Sequence, residues 1–277
     1  MSANLERFAE LVSREQFGLA EACLLIAQDE DPGLDVAGCI AQLDDMAATV
    51  RGRLATDAFP EQKVAAINRH LFGELGFTGN VEAYYDPRNS YLNQVLERRI
   101  GIPITLSIVY LEVARRVGLA ARGVAFPGHF MVKVRLKSGA LVLDPFGGGA
   151  PQSEHELRTR LEQALPKGRA GRGDLEPYLE PVTPREIVAR VLRNLKSIYL
   201  QRSALEPALA VMHRMLLVVP ESAEALRDRG LVYARLDCFR PAAADLQNYL
   251  RRRPDAPDAG DIHARLAELK VASARLN

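Results

Sequence analysis

The sequence predicts an α+β core followed by an all-α repeat domain, and three observations carry that expectation. From Ile104 to Val113 only Thr105, Ser107 and Glu112 are neither apolar nor aromatic, and a helix apolar on nearly all sides is a buried one. Three short β-type runs follow it directly, so one buried helix meets antiparallel strands. Farther along, Pro220 and Pro254 stand 34 residues apart with matched residues before each, which is the signature of a helical repeat.

Residues 2–80 read as helices. Leu5, Phe8, Leu11 and Val12 have helical spacing, as do Leu19, Cys23, Leu24 and Ile26. Asp31-Pro32-Gly33 breaks the chain. Further stripes run through Val36, Ile40, Leu43, Met46 and Val50, then Val64, Ile67, Leu71 and Phe72. Cys23 and Cys39 lie on these stripes and read as small core residues. His70 stands near a helix end, where a structural role is the expectation. Turn-rich Phe77–Asn80 and Asp86–Asn89 follow. Asn89 or Ser90 is then placed to cap a short helix over about 91–98.

The central helix starts at Pro103, where a first turn tolerates the missing N–H. Arg115 and Arg116 suit its C-terminal dipole, and Gly118 stops it. The β-type runs cover about 120–126, 129–136 and 140–144, with Ser138-Gly139 as the hairpin turn between the last two. His129 opens the second run and Asp144 ends the third, so a hairpin closing there makes them cross-strand neighbours. A carboxylate beside an imidazole fixes its tautomer and raises its basicity. A thiolate completing such a group belongs near a helix N-terminus.

These residues carry a family resemblance. Asn89-Ser-Tyr-Leu-Asn-Gln-Val-Leu-Glu-Arg-Arg-Ile-Gly-Ile-Pro-Ile-Thr-Leu-Ser107, Phe126-Pro-Gly-His-Phe130 and Leu143-Asp-Pro-Phe146 resemble the SirB-type bacterial proteins. That family joins a transglutaminase-like, papain-related core to tetratricopeptide repeats. The resemblance implies a cysteine near Pro103 to Thr105, and none is there. It also implies an upstream amide that helps hold an oxyanion, a place Asn93 fills. The expected site is therefore His129, Asp144, Thr105 and Asn93, vestigial or with altered chemistry. Ser107 is a second hydroxyl, two residues deeper in the helix. A metal reading, with Asp86 joining His129 and Asp144, lacks the usual Cys or paired His.

Gly147-Gly-Gly149 lacks a following Gly-Lys-Ser/Thr, so it reads as a tight passage and not a phosphate loop. Ser153 and Glu156 form a capping box for a helix near 154–165. Prolines and glycines crowd 166–184, the expected linker between a first domain over 1–165 and a repeat domain over 185–277. In register, Tyr199 matches Tyr233, Ala208 matches Ala242, and Met215 matches Tyr249. This is the tetratricopeptide pattern, with two repeats and a capping helix from about Asp258. Cys238 falls between the helices of the second repeat.

The 277-residue chain has a net charge of +1, which gives no reason to expect nucleic acid or an anionic membrane. Three scattered cysteines form neither a disulfide framework nor a CxxC zinc site. No signal peptide and no long apolar run is evident, so a cytoplasmic setting is expected, without cofactor or metal. The expected function is a non-catalytic or regulatory protein. Its repeats would bind a protein or peptide. The alternative is a hydrolase or acyltransferase in which His129 and Asp144 serve a non-cysteine nucleophile, Thr105.

Overall fold

A computed structural model describes residues 3–137, 139–165 and 174–275 of the chain. The first helix, α1 (Ala3–Ser13), does not join the helices that follow it. Residues Met1–Glu15 group with Leu192–Asn277 in one unit, and Gln16–Val191 form the other.

In the larger unit, α2 (Leu19–Ala27) is buried at every residue except Glu21, Cys23 included. The next helix, α3 (Val36–Arg51), begins at Asp35, whose carboxylate accepts the Gly38 N–H at 2.9 Å. Then α4 (Pro60–Asn68) passes into a π-helical turn, Arg69–Glu74. His70 Nδ1 there meets Glu74 Oε2 at 2.9 Å. Hydrogen bonds from Arg53 first, then His70, hold the Glu74 carboxyl down at about 2. His70 thus has a structural partner on its own helix.

Strand β1 (Thr78–Gly79) pairs in parallel with β2 (Ile100–Gly101), and α5 (Leu92–Arg98) lies between them in sequence. The residue before α5 is Tyr91, which makes no side-chain cap. Asn89 does not cap α5. Its side chain is spent on the preceding loop. The central helix α6 (Pro103–Val117) is buried from Pro103 to Tyr110 and ends at Gly118, in the left-handed region at φ 72°. Its buried carboxylate, Glu112, accepts the Ala20 N–H at 3.3 Å and pairs with Arg115 and Arg116. Arg116 also reaches Asp44 at 2.5 Å, so one charged group ties α6 to α2 and α3.

Five strands follow in the order β6-β5-β4-β3-β7, all antiparallel: β3 (Ala121–Val124), β4 (Met131–Leu136), β5 (Gly139–Asp144), β6 (Ala150–Pro151) and β7 (Pro181–Val182). Ser138, half of the expected hairpin turn, lies outside the described residues. Val124, Met131 and Val142 on one face pack with Leu157 and Leu161 of α7 (Glu154–Ala164) and with Leu175 and Leu179. Val132, Val134 and Leu143 alternate to the other face and are also buried. The Ser153–Glu156 capping box forms as expected.

The expected linker needs correction. Of 166–184, residues 166–173 lie outside the described residues. From 174 onward the chain is folded into the core, through Leu175, Leu179 and the pairing of Val182 with Gly123. Proline supplied this short edge strand, where a missing N–H costs least.

The smaller unit holds α8 (Pro184–Gln201) from Leu192 onward, α9 (Leu205–Val218), α10 (Ala223–Arg235), α11 (Phe239–Arg252) and α12 (Ala259–Arg275), together with α1. Ser203 and Asp237 sit at φ 54° and 55° at the same place in successive helix turns, 34 residues apart, which confirms the repeat. Ala208 and Ala242 are fully buried. A Cβ on Gly230 would come within 2.9 Å of Leu246, so α10 and α11 approach closely at this small residue. Lys196–Asp228 at 2.6 Å and Arg227–Asp258 at 3.0 Å link successive repeats. The first domain therefore begins at residue 16 and not at residue 1, because Phe8, Leu11 and Val12 bury against the repeats.

Candidate functional site

His129 and Asp144 meet as the hairpin predicts, by a diagonal route. The β4–β5 register pairs Val132 with Leu143, so His129 lies two residues before β4, beyond the paired ladder. Gly128, at φ 68°, turns the chain there, and the His129 N–H donates to the Phe126 carbonyl at 3.0 Å. The His129 carbonyl accepts from Arg190 at 2.8 Å. This brings His129 Nε2 to 2.8 Å from Asp144 Oδ1.

Asp144 is a hub. Its Oδ1 also accepts the Phe146 N–H at 3.1 Å, and its Oδ2 accepts from Arg160 of α7 at 3.0 Å. Burial alone would raise its pKa. The hydrogen bond and charge of His129, with Arg160 and the Gly147 N–H, outweigh burial and lower it below the usual carboxylate value. An ionised Asp144 accepts the Nε2 proton, which leaves the lone pair on Nδ1. No described residue hydrogen-bonds that nitrogen.

Aromatic rings extend the site. Phe146 stands edge-on to His129 with centroids 6.0 Å apart, and Tyr84 stands edge-on to Phe146 at 6.3 Å. A Cβ on Gly79 would lie 2.5 Å from the Phe146 ring, so β1 needs glycine to admit it.

Thr105 is not part of this group. Its hydroxyl donates to the Asn89 carbonyl at 2.7 Å and accepts the Ile102 N–H at 3.1 Å. It staples the start of α6 to the loop before α5. Ser107 lies 3.5 Å from the Phe130 carbonyl. Neither hydroxyl is hydrogen-bonded to His129. Pro103 and Ile104 are buried and apolar. Among the described residues no cysteine is hydrogen-bonded to His129. Burial, then Glu112, raises the Cys23 thiol, and burial, then Asp35, raises that of Cys39. Asp86, the third member of the metal reading, is gripped by Arg88 at 2.6 Å.

Asn93 is nearly buried, and its Oδ1 has no hydrogen-bond partner. The loop backbone beside it is bonded by Asn89. The Asn89 amide donates to the Ala83 carbonyl at 2.7 Å and the Tyr84 carbonyl at 3.3 Å. Its Oδ1 accepts from Asn80 at 3.1 Å. Sequence reasoning missed this role. The signal was available as the two turn-rich segments before α5, but it did not say which amide faces inward.

Comparison with known proteins places the chain. Residues 37–193 match the transglutaminase-like superfamily, and residues 195–267 match a tetratricopeptide repeat. The chain is 42% identical over 262 residues to a UPF0162 protein of Xylella fastidiosa, covering 93% of this chain and 92% of the relative. The chain belongs to the SirB-type family of transglutaminase-like proteins. Protein SirB1 of Salmonella typhimurium is 29% identical over 204 residues, 71% of this chain and 72% of its own. UPF0162 protein YchA of Escherichia coli is 29% identical over 257 residues, 90% of each. In this SirB-type chain His129 and Asp144 are hydrogen-bonded, and among the described residues no thiol is hydrogen-bonded to either. Among its described residues, no helix is long and apolar enough to cross a membrane.

Proposed function

We propose that this SirB-type protein is a binding or regulatory protein, built on a transglutaminase-like core without its nucleophile, whose repeats dock a protein or peptide partner. The observation that carries this reading is the commitment of Thr105. The hydroxyl at the start of α6 serves two backbone groups, 2.7 and 3.1 Å away, while no nucleophilic side chain among the described residues is hydrogen-bonded to the His129–Asp144 pair. An imidazole base without an oxygen or sulfur to deprotonate cannot form an acyl-enzyme. Three unpaired cysteines agree with a reducing, cytoplasmic setting.

A second reading draws on the lone pair at His129 Nδ1. With water as nucleophile, this nitrogen is the general base of a hydrolase. One experiment separates the two. Purified protein and its His129→Ala variant are incubated with activated acyl esters, and partner capture is compared for the full chain and a chain ending at Val191. Capture that depends on 192–277, with equal background hydrolysis by both proteins, supports the binding reading. Turnover lost in His129→Ala supports the hydrolase.

A further inference from the structure

We propose that the exposed end of strands β3 and β4, at Arg122, Lys133 and Arg135, is a docking surface for an extended acidic segment of a partner protein. Residues paired directly across two strands share a face, as do residues two apart on one strand. Arg122 stands opposite Lys133, and Val124 opposite Met131, so these four and Arg135 lie on one face of the sheet. Helix α7 packs on that face at Val124, Met131 and Val142. Arg122 and Arg135 are exposed, and so are Ala120 and Ala140, which flank Arg135 on the neighbouring strands.

Like charges directly opposite each other on a sheet repel and cost stability. Arg122 and Lys133 are such a pair, and Arg135 stands diagonal to Arg122. Among the described residues, one carboxylate pairs with any of the three: Lys133 Nζ lies 3.3 Å from Glu176 Oε2, and 3.3 Å from the Leu179 carbonyl. Glu176 is itself 65% exposed, so this pair is a weak one. Neither Arg122 nor Arg135 has a side-chain hydrogen bond or ion pair with any described residue. On the chain leaving β7, Glu186 is spent on the Thr183 N–H and hydroxyl, at 2.7 and 2.8 Å. Other exposed arginines of this unit do find acids, Arg88 on Asp86 and Arg158 on Glu154. The fold therefore leaves two guanidiniums uncompensated beside a repelling third cation, and a partner's carboxylates would relieve that repulsion.

The register selects the form of the partner. Diagonal neighbours on adjacent strands stand about 7–8 Å apart. Alternate residues of an extended chain are about 6.6–6.8 Å apart and point to the same side. Glutamates or aspartates at alternate positions of an extended segment thus meet Arg122 and Arg135 together, each guanidinium forking onto one carboxylate. The ladder holds both arginine backbones, and the flanking alanines leave the segment room to lie flat. Nucleic acid fits this surface less well. A net charge of +1 supplies no long-range field for a polyanion, and residues 120–124 and 131–137 contain no aromatic ring on which a base could stack. The surface lies within the unit Gln16–Val191, so it is separate from the docking assigned above to the repeats.

The test titrates the full-length protein with acetyl-Gly-Glu-Ala-Glu-Gly-amide and with its glutamine counterpart, following backbone amide resonances by NMR. The glutamate peptide is expected to give saturable shifts at residues 120–124 and 131–136 that fade with added salt, and the glutamine peptide none. Arg122→Gln and Arg135→Gln are each expected to weaken binding about two- to fivefold, and the double variant more than either. Both side chains are exposed, so thermal melts of the variants should match the parent's. Equal binding of the glutamine peptide, shifts confined to other residues, or unchanged binding by the double variant overturns the proposal. So does a short oligothymidylate that binds the same residues more tightly than the glutamate peptide. Failure here, alongside a partner still captured through residues 192–277, leaves the binding reading standing. An acid-selective sheet with no partner captured by the repeats sinks that reading and keeps this one.

Discussion

The Thr105 hydroxyl donates to the carbonyl of Asn89 across 2.7 Å, and both groups are shut away from solvent. This one bond fixes the N-terminus of α6 to the loop that carries Tyr84. It also explains why a hydroxyl can occupy this stretch of the helix without being a nucleophile.

Thr105→Val keeps the shape of the side chain and removes both hydrogen bonds. Leaving a buried carbonyl and a buried N–H unpaired is expected to cost about 1–3 kcal/mol. Thr105→Ser restores most of it, since the hydroxyl can reach the same partners. Urea denaturation of the three proteins checks this. A Val variant as stable as the parent would show that the hydroxyl is not the staple described.

Asp144→Asn removes the charge that joins His129, Phe146 and Arg160. The lowered pKa of Asp144 fixes the sign of the pH effect. The ionised form is favoured by folding, so its contribution is present above the unfolded value of about 3.9 and lost as pH falls through the lower, folded value. The parent should therefore exceed Asp144→Asn by about 1–3 kcal/mol between pH 5 and 7. That gap should close as pH drops below about 4. Denaturant melts across this range measure it, and a gap that widens toward acid would contradict the assignment.

How much of this was legible in the sequence depends on what each residue's role requires. The apolar surround of α6 announced its burial, and the 34-residue period announced the repeats through Ala208, Ala242 and the two prolines. His129 and Asp144 were legible because a hairpin needs only local rules, though the diagonal register was not. Asn89 was misread as a helix cap because its partners, Ala83 and Tyr84, are chosen by the tertiary path of the loop. Leu175 and Leu179 were hidden by the prolines and glycines around them. The stripe of α1 was seen correctly, but an amphipathic face does not say which core it joins.

Gly79→Ala tests the aromatic side of the site. The new methyl would overlap the Phe146 ring at 2.5 Å, and that ring is wedged between His129 and Tyr84. Displacing it is expected to cost about 1–3 kcal/mol. The His129 ring resonances should shift with it in NMR spectra, as Phe146 moves off the imidazole edge. Unmoved His129 signals would mean that Phe146 does not brace it.

Phe8→Ala tests where the N-terminal helix belongs. Phe8 is fully buried, with the guanidinium of Arg214 over its ring at 4.6 Å, and Arg214 lies on α9. Truncating it should cost about 3–5 kcal/mol by cavity formation. Because α1 groups with the repeats, amide hydrogen exchange should accelerate in α9 and α10, while β3, β4 and β5 keep their protection. Had α1 served the transglutaminase-like core, as its place in the sequence suggests, the strands would lose protection first.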